Sequence, residues 1–219
     1  DATDEELKIL DGFCDYNIDV TKHKIYKLPN NEIYIGKIIN GKMNDLGSYL
    51  FDDNTKYIGE FKDGLMSGIG ILRFSNGKIY IGSFLDGKID GLGQMIYNSK
   101  DEYIGMWDKG KKHGKGIYVW SDNSIYIGNF YRNKMDGKGI CYNEKGEIIY
   151  EGDWKNNLPH GFGTYIWYDG KKYTGEFMNG KKHGHGVFYL NNEMIYEGDF
   201  KFDKPSIFNK TLDEIFSAR

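Results

Sequence analysis

One pattern constrains this chain more than any other: a tyrosine, any residue, a glycine, any residue and an aromatic ring recur every 23 residues. The copies begin at Tyr57, Tyr80, Tyr103, Tyr126, Tyr150, Tyr173 and Tyr196, and close on Phe61, Phe84, Trp107, Phe130, Trp154, Phe177 and Phe200. A weaker copy begins at Tyr34, where Ile38 stands in place of the ring. Every step is 23 residues except that from Tyr126 to Tyr150, which is 24 and absorbs one inserted residue near Gly146. Eleven and thirteen residues after each of the six tyrosines from Tyr57 to Tyr173 come two more glycines, such as Gly68 and Gly70 or Gly161 and Gly163. The first copy keeps only Gly47, with Asp45 in the other slot. A fixed period of this length marks one supersecondary unit that cannot bury a face alone and must stack on copies of itself.

Each copy predicts two strands. After the second glycine runs a short β-prone segment, ILRF at 71–74 or TYIW at 164–167, and then a turn such as Ser75-Asn76-Gly77-Lys78 or Asp169-Gly170. Side chains alternate faces along a strand, so tyrosine, glycine and aromatic share one face with the second glycine and the residues two and four beyond it. A register in which the aromatic of the first strand faces that second glycine would give every ring a glycine or another ring opposite it. The expected fold class is therefore an all-β repeat of consecutive hairpins. The 30 glycines and three prolines, beside 18 Tyr, 13 Phe and four Trp, suit a chain that turns often and packs rings.

The same composition excludes several functions. A net charge of −3 provides no global positive field for nucleic acid, and any basic surface must be local. Cys14 and Cys141 are too few for a disulfide framework and too distant in sequence for a metal motif, which fits a reducing, cytoplasmic setting. No segment approaches the ~20 apolar residues of a membrane span. The N-terminus, DATDEELKIL, is acidic where a signal peptide would be basic, and its Asp1 is consistent with a piece of something longer.

Residues 111–117 and 181–187 read KKHGKGI and KKHGHGV. With the tyrosine–glycine–aromatic pattern and the period, they resemble MORN repeats (membrane occupation and recognition nexus) from about Tyr34 to Phe200. The resemblance implies an elongated, single-layer antiparallel sheet. It also implies scaffolding, protein docking and, in some members, association with phosphoinositide-containing membranes, and MORN arrays also occur joined to kinase or methyltransferase domains. The ends depart from the pattern, as the edges of a repeat array do. Thr3 with Glu6 and Thr211 with Glu214 match helix capping boxes. The expected organisation is an N-terminal cap over 1–33 with a short helix and a worn repeat, eight copies over 34–203 with the last incomplete, and a capping helix over 204–219.

Side chains capable of chemistry recur rather than converge. His113, His160 and His183 occupy one repeat position, where other copies have Asn44, Ser67, Asp90 and Asp136. Equivalent positions lie two strands apart, about 10 Å, whereas zinc needs each nitrogen at ~2.0–2.1 Å. A polar side chain bonding the adjacent turn is the expectation. Glu60, Asp153, Glu176 and Asp199 are likewise spread along the chain, so no acid–base pair forms. There is no phosphate loop, nucleophile elbow, HExxH or paired CxxC, and Cys141 sits at a packing position. The chain reads as a non-enzyme without metal or cofactor.

Two rows bear on partners. One residue after each tyrosine stand Ile35, Ile58, Ile81, Ile104 and Ile127, then Glu151, Thr174 and Glu197. Leu50, Ile96, Val119 and Ile166 widen this stripe on the face opposite the rings, and Arg73 interrupts it. Such a stripe either docks a partner or packs on itself or on a terminal helix. Eight residues after each tyrosine come Lys42, Lys88, Lys111, Lys134 and Lys181, with Lys112 and Lys182 beside them. That row reads as solvated hairpin turns or as a binding edge for anionic phospholipid. The leading expectation is a scaffold that docks a protein helix or extended segment and can form a homodimer, peripheral at a membrane or cytoskeletal site. A lipid-binding module and a regulatory repeat domain of an enzyme are the alternatives.

Overall fold

The structure, a computed structural model, describes residues 24–207. The helices expected at Thr3 and Thr211 fall outside the described residues. Within them are a single 3₁₀ turn at Pro29–Asn31 and seventeen strands. These are β1 Lys24–Lys27, β2 Ile33–Ile39, β3 Lys42–Leu50, β4 Lys56–Lys62, β5 Leu65–Arg73, β6 Ile79–Leu85, β7 Lys88–Ile96, β8 Glu102–Asp108 and β9 Lys111–Val119. They continue as β10 Ile125–Tyr131, β11 Lys134–Tyr142, β12 Ile148–Lys155, β13 Leu158–Ile166, β14 Lys171–Met178, β15 Lys181–Leu190, β16 Glu193–Lys201 and β17 Lys204–Pro205. The last pairs with β16, so strand geometry continues two residues past 203.

The chain divides into two compact units. One holds the strands up to Lys100 with Trp107–Gly110, the other Asp101–Met106 and the strands from Lys111 onward. In the first, β1 to β7 pair antiparallel, each with its neighbour in sequence. In the second, β9 to β17 do the same. Each unit is a meander of hairpins.

Two-residue turns close the hairpins. Asp63-Gly64 (φ 51° and 90°), Lys109-Gly110 (48° and 80°) and Asn179-Gly180 (51° and 80°) have both central residues at positive φ, the type I′ geometry whose twist suits a tight hairpin. The second residue of each turn donates its amide to the previous hairpin, as Gly64 does to the Met43 carbonyl (2.9 Å) and Gly180 to that of Pro159 (2.8 Å).

The register differs from the sequence expectation by two residues. Gly59 pairs with Gly70 and Tyr57 with Leu72, while Phe61 faces Met66 beyond an irregularity after Gly59. In the next pair Gly70 meets Gly82 and Gly68 meets Phe84. The aromatic therefore lies opposite the first glycine of the preceding GxG, and the other glycines form one row across the strands. The reason lies in the tyrosine. A Cβ on Gly59 would stand 2.4 Å from Oη of Tyr57, and one on Gly70 would stand 2.4 Å from its Cε2. The ring lies flat over both glycines and holds them opposite each other.

The hydroxyl then bonds to the backbone just where the register slips. In all eight copies, Tyr34 to Tyr196, the tyrosine donates to the carbonyl three residues on, at 2.8–3.2 Å. The aromatics fill the spaces between tyrosines edge-on: Phe84 is 5.0 Å from Tyr57 and 5.2 Å from Tyr80, and Trp154 is 5.2 Å from Tyr126 and 5.0 Å from Tyr150. Most of the core is this layer of rings on one sheet face. The first GxG glycine answers a different need, since Gly68 adopts φ +58° and Gly184 +65°, a conformation costly for most side chains. In the degenerate copy Asp45 takes it at +64°. The inserted residue of the 24-residue step is accommodated by a bulge that passes Ile149 between the pairs Cys141–Tyr150 and Tyr142–Ile148.

Tyr126→Phe should cost about 1–3 kcal/mol in urea melts, because the Asn129 carbonyl loses its donor inside the ring layer. Gly139→Ala, whose methyl would meet the Tyr126 ring at 2.4 Å, should cost ~3 kcal/mol. Gly146→Ala has open space and only backbone strain at φ +80°, about 1 kcal/mol. Equal losses at the two glycines would contradict the packing role of Gly139.

Candidate docking face

Among the described residues, much of the face away from the rings carries no second layer. Pairing aligns its side chains in rows across the strands. In the first unit Ile58, Ile71, Ile81 and Gln94 stand opposite one another in turn. In the second the row runs Ile117, Ile127, Ile140, Glu151, Thr164, Thr174 and Val187. The strand alternation that places tyrosine inward forces this row outward.

The stripe expected from the sequence serves two purposes. At its N-terminal end Ile33 and Ile35 are buried, and Ile25, Leu50 and Ile58 pack against them. Further along it is open, with Ile81 41 %, Ile104 43 % and Ile127 43 % exposed. Ile96 and Val119 are half-buried near the loop edge, paired with Ile79 and Ile125. A second exposed set was not expected: Ile69, Leu92 and Phe162, each the middle residue of a GxG. Its sequence signal is present in the apolar residue that several copies place between the two glycines.

In the second unit these rows enclose a groove of about 490 Å³, floored by Ile127, Ile140 and the backbone of Gly139, Gly152 and Gly163, and walled by Phe162, Thr164, Glu151 and Lys138. The glycine row makes it concave, because those Cα atoms pleat toward the rings. Lys138 is held by Asp153 at 2.7 Å, while Glu176 and Asp199 stand further along the same face.

Repeated polar side chains serve the backbone. Glu60 accepts the Ile69 amide (3.2 Å), Asp153 that of Phe162 (3.1 Å) and Glu176 that of His185 (3.1 Å), each steadying the bulge at a GxG. The position occupied by the histidines bonds the next turn as expected in four copies, Asn44 to Asp63, Asp90 to Lys109, Asp136 to Asn156 and His160 to Asn179. His113 and His183 instead lie against Tyr131 and Phe202, at 5.4 and 4.8 Å between ring centres. Burial pushes the Cys141 thiol up and so disfavours the reactive thiolate.

The lysines divide likewise. Lys42, Lys88, Lys111, Lys134 and Lys181 are exposed where the second strands leave the turns. Lys112 and Lys182, expected on the same lipid-facing edge, are turned into the ring face instead. Lys112 stands 4.4 Å over the Tyr118 ring and 5.5 Å over that of Tyr103. Lys182 lies 5.1 Å over Trp167 and 3.6 Å from Asp203. Met43, Met66, Ile89 and Met135 occupy this position in other copies, so it is a core slot.

Fold and face together define a hairpin-repeat protein with one face closed by rings and the other open. The chain belongs to the MORN family: the family model, MORN repeat, matches residues 57–79, 80–102, 103–125, 126–147, 150–172 and 173–194. No curated protein shows significant sequence similarity to it. Among solved structures it is similar to the TCP domain of SAS-4 (dCPAP) from Drosophila melanogaster, in complex with a proline-rich motif of Ana2 (dSTIL). There the identity is 10 % over 80 % of this chain and 89 % of that one, with a TM-score of 0.39. It is also similar to the TCP10 domain of Danio rerio CPAP, at 16 % identity over 81 % of this chain and 100 % of that one, with a TM-score of 0.35.

Burial pushes the Lys112 ammonium down from 10.5 to about 8, against the pull of Asp101. The folded chain therefore releases this proton before the unfolded one does. The penalty is complete below pH 8, and stability rises between about 8 and 10.5. Burial raises the Cys141 thiol and the Tyr126 hydroxyl, which opposes the rise once the unfolded groups ionise. Comparison with Lys112→Met cancels those contributions. The variant should be the more stable by roughly 1–3 kcal/mol at pH 7, with the gap closing by pH 10 in urea melts. A pH-independent gap would show that the charge is not the cause.

Proposed function

We propose that this protein is a non-catalytic docking module that holds a basic amphipathic helix of a protein partner on the face opposite its rings, at a membrane or cytoskeletal site. The observation that carries this reading is the row Ile117, Ile127 and Ile140 leading into the groove beside Phe162. Neighbouring strands are about 4.8 Å apart, and one helical turn rises about 5.4 Å. A helix laid across the strands therefore sets one apolar side chain per turn onto one strand of the row. An extended segment binds by adding to a strand edge, which this face does not offer. Glu151 and Glu197 continue the row and Asp153, Glu176 and Asp199 flank it, against Lys115, Lys138, Lys172 and His185, so basic flanks complement it.

The test is binding of a labelled amphipathic helical peptide with Leu on one face and Lys on the flanks, and of vesicles containing anionic phospholipid. Replacing Ile127 and Phe162 with Ser should weaken the peptide about tenfold or more, the equivalent of ~1.4 kcal/mol, with the fold retained by circular dichroism. Changing Lys111, Lys134 and Lys181 to Glu should leave the peptide bound. If instead only the Lys variant loses binding, and vesicles are released as salt shortens the ~8–10 Å screening length, the lysine edge is the site and a lipid surface the partner.

A further inference from the structure

The open face of the second unit changes character along its length. On β9 to β11 the apolar row is Ile117, Ile127 and Ile140, and the row beside it carries Lys115 and Lys138, with Asn129 opposite Lys115. Neither row has a carboxylate on these three strands. From β12 to β16 the first row turns into Glu151, Thr164, Thr174, Val187 and Glu197. The row beside it gains Asp153, Glu176 and Asp199. Phe162, 57 % exposed, is its one large apolar side chain there.

The cations near these carboxylates offset only part of their charge. Lys138 reaches across to Asp153 at 2.7 Å, and His185 stands 3.3 Å from Asp199 and 3.7 Å from Glu197. Lys172 lies 4.3 Å over the Tyr189 ring, on the loop side of both rows. The turn edge bears exposed lysines along both halves, Lys111 and Lys134 in one and Lys155, Lys181 and Lys201 in the other, so it does not alter the contrast. One end of the face is apolar and basic, the other acidic.

A helix laid across β9 to β16 crosses seven strand spacings, about 34 Å, and covers them with about 22 residues. Its two halves meet different surfaces. A helix basic throughout would set like charges beside Lys115, whereas lysines confined to the half over β12 to β16 meet carboxylates alone. The helix itself carries about half a positive charge at its N-terminus and half a negative charge at its C-terminus. An N-terminus over Glu197 and Asp199 adds to the attraction of those lysines, and a C-terminus over β9 meets Lys115.

Resting on the reading that a basic amphipathic helix docks on this face, we propose that the partner helix is divided and has one direction. Its basic N-terminal half lies over β12 to β16 and its apolar C-terminal half over β9 to β11, so it runs against the order of the strands.

The test uses two labelled 22-residue peptides of one composition, both held helical by a lactam staple on the solvent side. The first has lysines in its N-terminal half and leucines in its C-terminal half, and the second has the same residues in reverse order. The first should bind about threefold tighter or more at low salt. A nitroxide at its N-terminus should broaden the amide signals of Thr174, Val187 and Glu197, and one at its C-terminus those of Ile117 and Ile127. Glu151→Gln combined with Glu197→Gln should weaken it about fivefold, with an unchanged circular dichroism spectrum. Equal affinity of the two peptides, tighter binding of the reversed one or broadening at the opposite ends overturns the direction while the docking reading stands. Unchanged binding by the folded glutamine variant overturns the division into halves. If neither peptide binds, the docking reading itself falls and the proposal with it.

Discussion

Everything in this fold depends on one short bond, from a tyrosine hydroxyl to the carbonyl three residues ahead. To reach it, the ring must lie down along its own strand, and the two residues beneath it must have no side chain. That requirement accounts for the glycine row, since Gly59 and Gly70 would each bring a Cβ within 2.4 Å of Tyr57. The slip of register after Gly59 takes the next carbonyl out of regular pairing, and an unpaired carbonyl in a ring layer would cost about 1–3 kcal/mol. The hydroxyl removes that cost in every copy. The aromatics then occupy the spaces between successive tyrosines, each edge-on contact contributing about 0.5–1.5 kcal/mol beyond area burial. Stabilisation is local and repeated, with no second layer needed.

Beyond the N-terminal end, where Ile33 and Ile35 are buried as well, one face supplies the packing and the other is free to vary. The residue after the tyrosine is isoleucine in five copies and then Glu151, Thr174 and Glu197, yet the tyrosine bonds the backbone in the same way throughout. Variation confined to the uncovered face does not disturb the ring layer. Lys112 and Lys182 show the reverse case, charges placed in a slot that other copies give to methionine, isoleucine or proline. They are accommodated only by lying over ring faces with Asp101 and Asp203 nearby.

Period, two strands per copy and the assignment of faces were legible in the sequence because each follows from spacing alone. Register was not. It rests on Tyr57 folding over two glycines, an orientation that strand alternation does not encode, and so the pairing lies two residues from the one that stacking of rings suggested. The lysine edge was legible for Lys111 and Lys134 but not for Lys112, which shares their charge and lies on the other face. The groove was partly hidden for a similar reason. Ile127 stood out by recurrence, whereas Phe162 gains its importance from the concavity that Gly152 and Gly163 create beneath it. Of the histidine column, His160 bonds the next turn as its spacing suggested, whereas His113 and His183 lie against rings that the spacing does not reveal.

The bulge between Cys141 and Tyr142 bears on how such a gene can change length. It shows that the loop edge admits one additional codon while the tyrosines on either side keep their bonds to Asn129 and Asp153. The opposite edge has no such slack, since both residues of its tight turns are held at positive φ and, from Asp63-Gly64 onward, the second also bonds the preceding hairpin. Duplication or deletion of a whole copy conserves every one of these bonds, because each tyrosine closes on its own strand. Recombination between copies can therefore lengthen or shorten the array in units of one repeat, while small insertions survive at only one of its two borders.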